Sequence, residues 1–314
     1  MSNKVRVVTP TYCTEDNERL PLLLQSIYWV SRQTHQNLIH VVVDDGSTDQ
    51  TPELLDKIAQ HNSNLRVYHQ ENGGSSSAVN FGVENTLSEG DFRYITITHS
   101  DDVLPPKSIE DRVTTIEQEN TRFIYSDMVV FNEENQPTGV KMAREFSTPQ
   151  KLYESLRSHK GIPYATMLWD RTLFTEQVQG YDPEITSSED WDIALRSAQE
   201  MSRLGDSHST IHRVTAAYRV HQNNLGQSNM RDGTKWRCYK RILRKHLRGK
   251  DYQIALARES GRFLREWLPE PIKVPLKILR DQILSKPPTM LPFRNEFIES
   301  LTEVDYKNHL LQCN

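Results

Sequence analysis

Two pairs of adjacent aspartates stand out because each pair follows a short apolar run. Asp44 and Asp45 follow the run LIHVVV, and Asp101 and Asp102 follow the run YITIT after two intervening residues. Clustered carboxylates repel one another unless a cation or a hydrogen-bond donor lies among them. Their oxygens suit Mg²⁺ or Mn²⁺, which proteins often hold with one or two carboxylates and share with substrate phosphates. The two pairs therefore predict a site for a diphosphate held by a divalent cation.

The runs before the two pairs have the composition of buried strands in a parallel sheet. The first run is rich in valine and precedes the turn residue Gly46, which favours a strand that is covered on both faces. Similar runs alternate with amphipathic helical segments over residues 5–102. This alternation predicts an α/β fold in which ligands bind beyond the carboxyl ends of the strands. Both acidic pairs should then lie along one edge of the sheet.

Three other segments carry polar groups at predicted turns. The residues Thr9–Tyr12 close the first strand, and residues 72–77 (NGGSSS) form a donor-rich loop before a helix. Backbone N–H groups at such a helix start favour anions, although a plain loop is the simpler interpretation. Arg219 and His221 follow a late strand and form a candidate anion-binding pair.

Residues 187–192 (SSEDWD) place another acidic cluster at the start of a predicted helix. Ser187 or Ser188 is expected to cap this helix, and acidic residues are favourable at the N-terminus of any helix. That stabilisation explains the cluster without a function. The alternative is that one of its carboxylates serves as a general base.

Composition limits the class of protein. The chain has 314 residues, a formal net charge of -4 and a pI near 6.3, which argues against general nucleic-acid binding. Cys13, Cys238 and Cys313 are far apart and have no metal-binding spacing, so we expect unpaired thiols in a reducing compartment. The sequence shows no signal peptide and no apolar segment long enough to span a bilayer. These features predict a soluble intracellular protein, with the membrane surface open as a partner.

The pattern changes in the C-terminal part of the chain. Residues 235–250 form a dense basic run in which Trp236, Tyr239, Leu243 and Leu247 fall on one helical stripe. Such a helix can lie on an anionic membrane or can pack its stripe on the preceding domain, and we favour packing. Acceptor binding, a homodimer contact and membrane docking are the roles left open for this extension.

An ordered set of motifs resembles glycosyltransferase family 2, the inverting nucleotide-sugar transferases with the GT-A fold. The matching stretches, over roughly residues 4–225, are VVTPTY, VVVDDGSTD, ENGGSSSAVNFG, THSDD, GYDPEITSSEDWDIALR and YRVHQNN. The resemblance implies a Rossmann-like, mostly parallel central sheet flanked by helices. The GT-A domain would span residues 1–225, with a nucleotide-sugar half over about 1–102 and an acceptor half over about 103–225. A helical C-terminal extension would follow over 226–314.

The resemblance also implies a role for each matched residue. Asp190 would be the catalytic base, and Asp102, Asp101 and His221 would hold Mn²⁺ or Mg²⁺. Glu189, Trp191 and Tyr181 would lie on the acceptor side. The implied nucleotide-sugar site consists of Thr9, Pro10, Thr11, Tyr12, Asp44, Asp45, Gly73, Asn80, Ser100, Asp101, Arg219 and His221.

Two positions depart from the family pattern. His99 stands where the family often has an aspartate, two residues before the first metal-binding position, which puts the metal preference in doubt. Val79 stands where the family often has an arginine, which puts one phosphate or base contact in doubt.

The expected function is transfer of a sugar, from a UDP-sugar before other donors, to a hydroxyl of a glycan or lipid-linked acceptor. This hexosyltransferase-type activity would serve bacterial surface polysaccharide synthesis, in the cytoplasm or peripherally at the inner face of the membrane. A sugar-nucleotide nucleotidyltransferase is one alternative, but residues 11–15 lack the Gly-rich loop with Arg and Lys that it needs. A non-catalytic nucleotide-sugar-binding or scaffold protein is another, and it would not need Asp190.

Overall fold

The computed structural model describes residues 3–158, 161–221, 233–267, 297, 301 and 305–312. The predicted boundary between residues 225 and 226 lies outside these residues, as does Cys313. None of the helices that the structure describes combines the length and the apolar character needed to span a bilayer.

A mixed sheet forms the centre of the fold and, within the described residues, has eight strands. They are β1 (Val5–Thr11), β2 (Leu38–Asp44), β3 (Leu65–His69), β4 (Tyr94–Ile97), β5 (Phe123–Phe131), β6 (Pro137–Lys141), β7 (Leu168–Asp170) and β8 (His208–Arg219). β1 lies between β2 and β4 and is parallel to both, and β2 is also parallel to β3. β5 is parallel to β8, whereas β6 and β7 join the sheet antiparallel. The expected α/β fold with a mostly parallel sheet is confirmed.

Helices flank this sheet and continue into the C-terminal part of the chain. The α-helices in the described ranges are α1 (Leu20–Ser31), α2 (Thr51–Gln60), α3 (Ser75–Thr86), α4 (Ser108–Gln118), α5 (Pro149–Arg157), α6 (Glu189–Leu204), α7 (Thr234–His246), α8 (Gly249–Trp267) and α9 (Tyr306–Gln312). A 3₁₀ turn at Tyr164–Thr166 and a π-helical turn at Leu173–Gln177 lie on either side of β7.

Close packing of helices on both faces explains the apolar character of the first strands. Every residue of β1 and β2 is buried. Helix α3 approaches the sheet closely because Gly82 has no side chain, since a Cβ there would lie 2.7 Å from Val43 Cγ2. This packing fixes the start of α3, and the loop before it, against the edge where β2 ends.

The apolar stripe of the basic helix α7 packs on the preceding domain. Tyr239 and Leu243 are buried, and the Tyr239 ring lies 5.1 Å from the ring of Trp191. On the charged side, Lys245 Nζ lies 3.1 Å from Asp192 Oδ1 and also contacts Asp182. The packing interpretation of the stripe is therefore confirmed for this helix.

The short helix α9 packs on α1, at the other side of the sheet. Leu310 is buried, and the Tyr306 ring lies 5.1 Å from that of Tyr28. The amide Nε2 of Gln25 in α1 donates to the Leu301 carbonyl at 3.2 Å and lies 3.0 Å from the Tyr306 hydroxyl. Residues near the C-terminus are thus linked to a helix that flanks the candidate site.

Candidate active site

The carboxyl ends of β1, β2 and β4 form one edge of the sheet, and both acidic pairs lie along it. Asp44 is paired in register with Thr11, and the Asp45 N–H donates to the Thr11 carbonyl at 2.8 Å. The Thr98 N–H, at the end of β4, donates to the Val8 carbonyl of the same central strand at 3.0 Å. The topology therefore brings the two pairs to neighbouring positions, as the sequence predicts.

The first acidic pair, Asp44 and Asp45, is saturated by hydrogen bonds from its own chain. Asp45 accepts from the backbone N–H groups of Gly73 and Gly74, both at 2.8 Å, and from Gln70 Nε2 at 2.7 Å. Asp44 accepts from the Ser47 N–H at 3.1 Å and lies 2.9 Å from the Nδ1 of a histidine at the end of β3. The pair shapes the two loops at this edge, including the glycine loop before α3.

The second pair, Asp101 and Asp102, keeps one buried oxygen without a partner among the described residues. Asp102 Oδ1 accepts the Arg219 N–H at 3.0 Å, whereas Asp102 Oδ2 is buried and makes no hydrogen bond within the part of the chain that the structure describes. Burial and the neighbouring Asp101 charge raise the pKa of Asp102 well above its usual range. Burial is the largest single effect and acts against the charge of Asp101, but the hydrogen bond with His221 and the charges of Arg19, His99 and His221 together outweigh it, and the Asp101 pKa falls to about 2.

This arrangement fits a divalent cation that is shared with a substrate. Among the described residues, no group of three or more His, Cys, Asp or Glu side chains is arranged to hold a metal by itself. Mg²⁺ commonly takes only one or two carboxylates and completes its shell with phosphates and water. The unpartnered Asp102 Oδ2 beside Asp101 suits that mode. His221, expected as a ligand, instead places its Nε2 2.9 Å from Asp101 Oδ2.

Asp190 lies at the start of α6 and is contacted at both carboxylate oxygens. The Tyr181 hydroxyl donates to Asp190 Oδ1 at 2.7 Å, and His99 Nε2 lies 3.4 Å from Asp190 Oδ2. Burial acts to raise the Asp190 pKa, but these two contacts and the His99 charge lower it. Burial likewise disfavours the His99 cation, yet Asp190, Asp102 and Glu189 together raise the His99 pKa to about 10. The candidate base is therefore ionised and held in one orientation.

The acidic cluster enters helix α6 through a residue whose backbone is in the left-handed conformation. Ser188 has φ 63°, in the region that non-glycine residues rarely adopt, and its side chain makes no capping bond. The predicted cap by Ser188 is wrong, because a capping residue typically has extended backbone geometry and Ser188 does not. Burial and the Asp190 charge raise the pKa of the adjacent Glu189 to about 7, so Glu189 is easily protonated.

Four of the predicted binding residues lie along β1 and its end. The predicted contact of Thr9 with the nucleotide-sugar is corrected. The Thr9 side chain is fully buried, and its Oγ1 lies 2.8 Å from His40 Nε2 within the sheet. Pro10 and Thr11 are also buried, and Thr11 Oγ1 lies 3.4 Å from a cysteine sulfur. Tyr12 is 39% exposed, so among these four its ring is the one open to a ligand.

Two further predicted contacts serve the turn that carries Tyr181. Asn80 Nδ2 donates to the Tyr181 carbonyl at 2.8 Å, and the Tyr181 N–H donates to Asn80 Oδ1 at 2.9 Å. The Asn80 amide therefore supports this turn, and its predicted contact with the nucleotide-sugar stays a prediction. Tyr181 itself is only 2% exposed and supports Asp190 from the protein side.

Trp191 and Arg219 are likewise committed to the protein. The Trp191 indole is buried and donates to the Leu156 carbonyl at 3.0 Å, so it does not face an acceptor. The Arg219 guanidinium donates to Asn135 Oδ1 at 2.8 Å and to the Asp101 carbonyl at 3.2 Å. It also contacts Gln25 Oε1 and stacks over a phenylalanine ring. The predicted anion-binding pair is thus corrected, since Arg219 holds the acidic loop in place.

Two residues of this site have partners that no sequence motif indicates. His99 was notable in the sequence as a departure from the family pattern, but its contact with Asp190, 91 positions away, is visible only in the fold. Gln25 is a buried amide in an otherwise apolar helix, which is the one signal that could have drawn attention to it. Ser100 is buried in the acidic loop and the Gly73 N–H donates to Asp45, and their predicted contacts with the nucleotide-sugar stay predictions.

Comparison with known proteins identifies the family. The sequence model described as Glycosyl transferase family 2 matches residues 7–172, which is more than half of the chain. The chain therefore belongs to glycosyltransferase family 2. Glycosyltransferase GlyG of Streptococcus pneumoniae is 32% identical over 134 residues, 42% of this chain and 42% of GlyG, so the match spans less than half of that relative. TuaG of Bacillus subtilis, named for teichuronic acid biosynthesis, is 24% identical over 245 residues, 77% of this chain and 89% of TuaG.

Solved structures support the GT-A-like fold. S. aureus TarS residues 1–349, in complex with UDP-GlcNAc, aligns with a TM-score of 0.60 at 18% identity, over 83% of this chain and 72% of that one. The mannosyltransferase PcManGT of Pyrobaculum calidifontis, in complex with GDP-Man and Mn²⁺, aligns with a TM-score of 0.55 at 16% identity, over 98% and 85%. These likenesses confirm the expected fold class.

Proposed function

We propose that this chain is an inverting, metal-dependent hexosyltransferase that moves a sugar from a UDP-sugar to a hydroxyl of a glycan or lipid-linked acceptor. One observation carries the proposal. The candidate base and the acidic loop meet, because His99 of the loop after β4 lies 3.4 Å from Asp190 of α6. A carboxylate able to take a proton from an acceptor thus lies beside the carboxylates suited to a metal and a diphosphate.

The comparisons support the substrate class in this proposal. TarS has been solved with UDP-GlcNAc and with UDP, and PcManGT with GDP-Man and Mn²⁺. TuaG is named for the synthesis of teichuronic acid. We therefore place this chain in bacterial surface polysaccharide synthesis, with Mn²⁺ or Mg²⁺ at Asp101 and Asp102.

The transfer is a single displacement in which the residues of this chain act mainly by position and charge. The acceptor oxygen attacks the anomeric carbon from the face opposite the diphosphate, and the bond to the diphosphate breaks with its electron pair. Asp190 takes the hydroxyl proton as the new bond forms, and such general-base help contributes about 10²- to 10⁴-fold. Alignment of donor and acceptor supplies much of the remainder. A divalent cation bound at Asp102 and Asp101 would stabilise the charge of the leaving diphosphate.

The substitution Asp190→Asn tests the assignment of the base. We expect UDP release from UDP-GlcNAc, UDP-glucose or UDP-galactose, with Mn²⁺ and with a glycan or water as acceptor, to fall by about 10²-fold or more. Donor binding, measured by the rise in melting temperature, should stay close to that of the parent. Glu189→Gln is the matched control at the neighbouring carboxyl. Transfer at the parent rate by Asp190→Asn would refute the assignment.

The location and assembly of the enzyme form a further part of the proposal. Arg237, Arg244, Arg248 and Lys250 are exposed on and just after α7, on the side opposite its buried stripe. We place the enzyme in the cytoplasm with a peripheral contact at the inner face of the membrane, where such cations meet anionic lipid. Sedimentation with vesicles of anionic or neutral lipid tests this contact. Binding that does not depend on anionic lipid or on salt would refute it. A homodimer is tested by the molar mass in solution.

A further inference from the structure

The carboxylate of Asp190 is held at two points that come from different parts of the chain. Tyr181, at Oδ1, belongs to the turn before α6, whereas His99, at Oδ2, belongs to the loop after β4. We propose that His99 is a positioning residue that orients Asp190 toward the acceptor hydroxyl. The inference rests on the proposed function and adds a residue at which this chain departs from the family pattern.

The backbone of His99 is joined to the acidic loop by a hydrogen bond. The His99 carbonyl accepts the Asp102 N–H at 3.1 Å, so the turn that sets the His99 ring also sets Asp102. The side chains of His99 and Asp190 are 26% and 23% exposed, so both border the open side of the site. Tyr181 approaches from the buried side, with 2% exposure.

Two contacts orient a carboxylate in a way that one contact cannot. A hydrogen bond to Oδ1 alone leaves the carboxylate free to rotate about the Cβ–Cγ bond, whereas a second contact at Oδ2 fixes the plane of the group. The longer contact of 3.4 Å leaves Oδ2 able to accept another hydrogen, since an ionised carboxylate offers several acceptor positions. His99 therefore orients Asp190 and leaves Oδ2 able to accept a second hydrogen bond.

This contact also joins the two halves of the site. The acidic loop suited to the diphosphate and the carboxylate suited to the acceptor proton share a direct side-chain contact across the site. The candidate base and the acidic loop are thus positioned by the same turn of the chain, and a small error in the alignment of the reacting groups costs about 10²-fold in rate.

The test compares His99→Ala, His99→Gln, Tyr181→Phe and Asp190→Asn by steady-state UDP release from the donor that the parent enzyme uses, with Mn²⁺. We expect His99→Ala to lower kcat by about 10- to 100-fold, in line with the cost of misalignment, with the donor KM changed less than about 3-fold. His99→Gln, whose amide can donate at a similar reach, should recover part of the loss. Tyr181→Phe should lower kcat by a smaller factor.

The double variant His99→Ala with Asp190→Asn separates positioning from other roles. If His99 acts through Asp190, the double variant is no slower than Asp190→Asn alone, because the oriented carboxylate is already absent. A full additional loss in the double variant, or a raised donor KM at unchanged kcat, overturns the inference. If His99→Ala fails to fold, His99→Gln carries the same comparison.

The proposed function can fail separately from this inference. A folded parent enzyme that releases UDP from none of the donors, or an Asp190→Asn variant at full rate, refutes the function itself. An active parent with an inactive Asp190→Asn variant and a fully active His99→Ala variant refutes the inference alone.

Discussion

The two acidic pairs have the same residue type and follow β2 and β4, the strands on either side of β1, yet they end in opposite states. Asp45 has three hydrogen bonds from the glycine loop region, and both oxygens of Asp44 are also engaged. Asp102 keeps a buried oxygen that has no hydrogen-bond partner in the described ranges. The first pair is a structural centre for two loops, while the second retains capacity for a ligand.

The difference comes from what each strand end faces. The first pair faces backbone N–H groups at the start of α3, which are natural partners for carboxylates. The second pair faces β8 and His221, which supply the Arg219 N–H and a ring nitrogen, and no group in the described ranges is hydrogen-bonded to Asp102 Oδ2. An unmatched buried acceptor is costly unless a ligand satisfies it.

The largest expected effect is at the second pair. Loss of a residue that only supports the metal ligands costs about 10- to 100-fold in metal affinity. Asp102 is itself a proposed ligand, so Asp102→Asn should lower Mn²⁺-dependent UDP binding by more than about 100-fold. Isothermal titration of UDP with and without Mn²⁺ measures this effect. Asp45→Asn is the matched control, because it should keep the metal dependence. Equal metal dependence in Asp102→Asn and the parent would contradict the inferred difference between the two acidic pairs.

The first pair should matter chiefly for stability. Asp45→Asn turns an accepting oxygen into a donor facing the N–H groups of the glycine loop, and an unsatisfied buried group costs about 1–3 kcal/mol of the free energy of unfolding. Urea unfolding of the variant and the parent measures the change. An unaltered unfolding midpoint would show that these hydrogen bonds contribute little, and the two pairs would then differ less than we infer.

Asp192 extends the comparison to a carboxylate that has several cationic partners and belongs to neither acidic pair. Burial acts against its charge, but His246, Arg196 and Lys245 outweigh it and lower the Asp192 pKa to about 2. Because the folded pKa lies below the unfolded value of 3.8, the stabilisation is present above that value and is lost as the pH falls toward about 2. The parent should therefore lose about 2 kcal/mol more than Asp192→Asn between pH 5 and pH 2. Parallel stability curves for the two proteins over that range would count against this assignment.

The smallest expected effect concerns the support behind the second pair. Gln25 links Arg219, which donates to the Asp101 carbonyl, with the Leu301 carbonyl near the C-terminus. Gln25→Leu removes a net hydrogen-bond contribution of about 0.5–1.5 kcal/mol and should weaken Mn²⁺-dependent UDP binding by about 2- to 10-fold. Leu310→Ala, which trims the same helix contact without touching Arg219, is the control. Equal binding by Gln25→Leu and the parent would show that the acidic loop needs no such support.

The sequence predicted the parts of this molecule that depend on local pattern. The buried runs gave β1, β2 and β4, and the rule for parallel sheets placed both acidic pairs on one edge. The sequence does not predict the antiparallel strand β6, because PTGVK has neither alternation nor an apolar run. Its pairing with β5 comes from the neighbouring strand, which no local pattern records.

The sequence by itself determined the family, the α/β fold and the carboxylates from which a donor site can be built, since these follow from residue type, order and spacing. Only the tertiary structure decided which of those carboxylates are already satisfied. Asp45, Asp102 and Asp190 look alike in sequence, but each has a partner that lies 25 to 117 positions away along the chain. Hydrogen bonding acts over about 3 Å of space and takes no account of distance along the chain. For that reason the fold alone turned one acidic pair into a loop anchor, left the other open, and set His99 against Asp190.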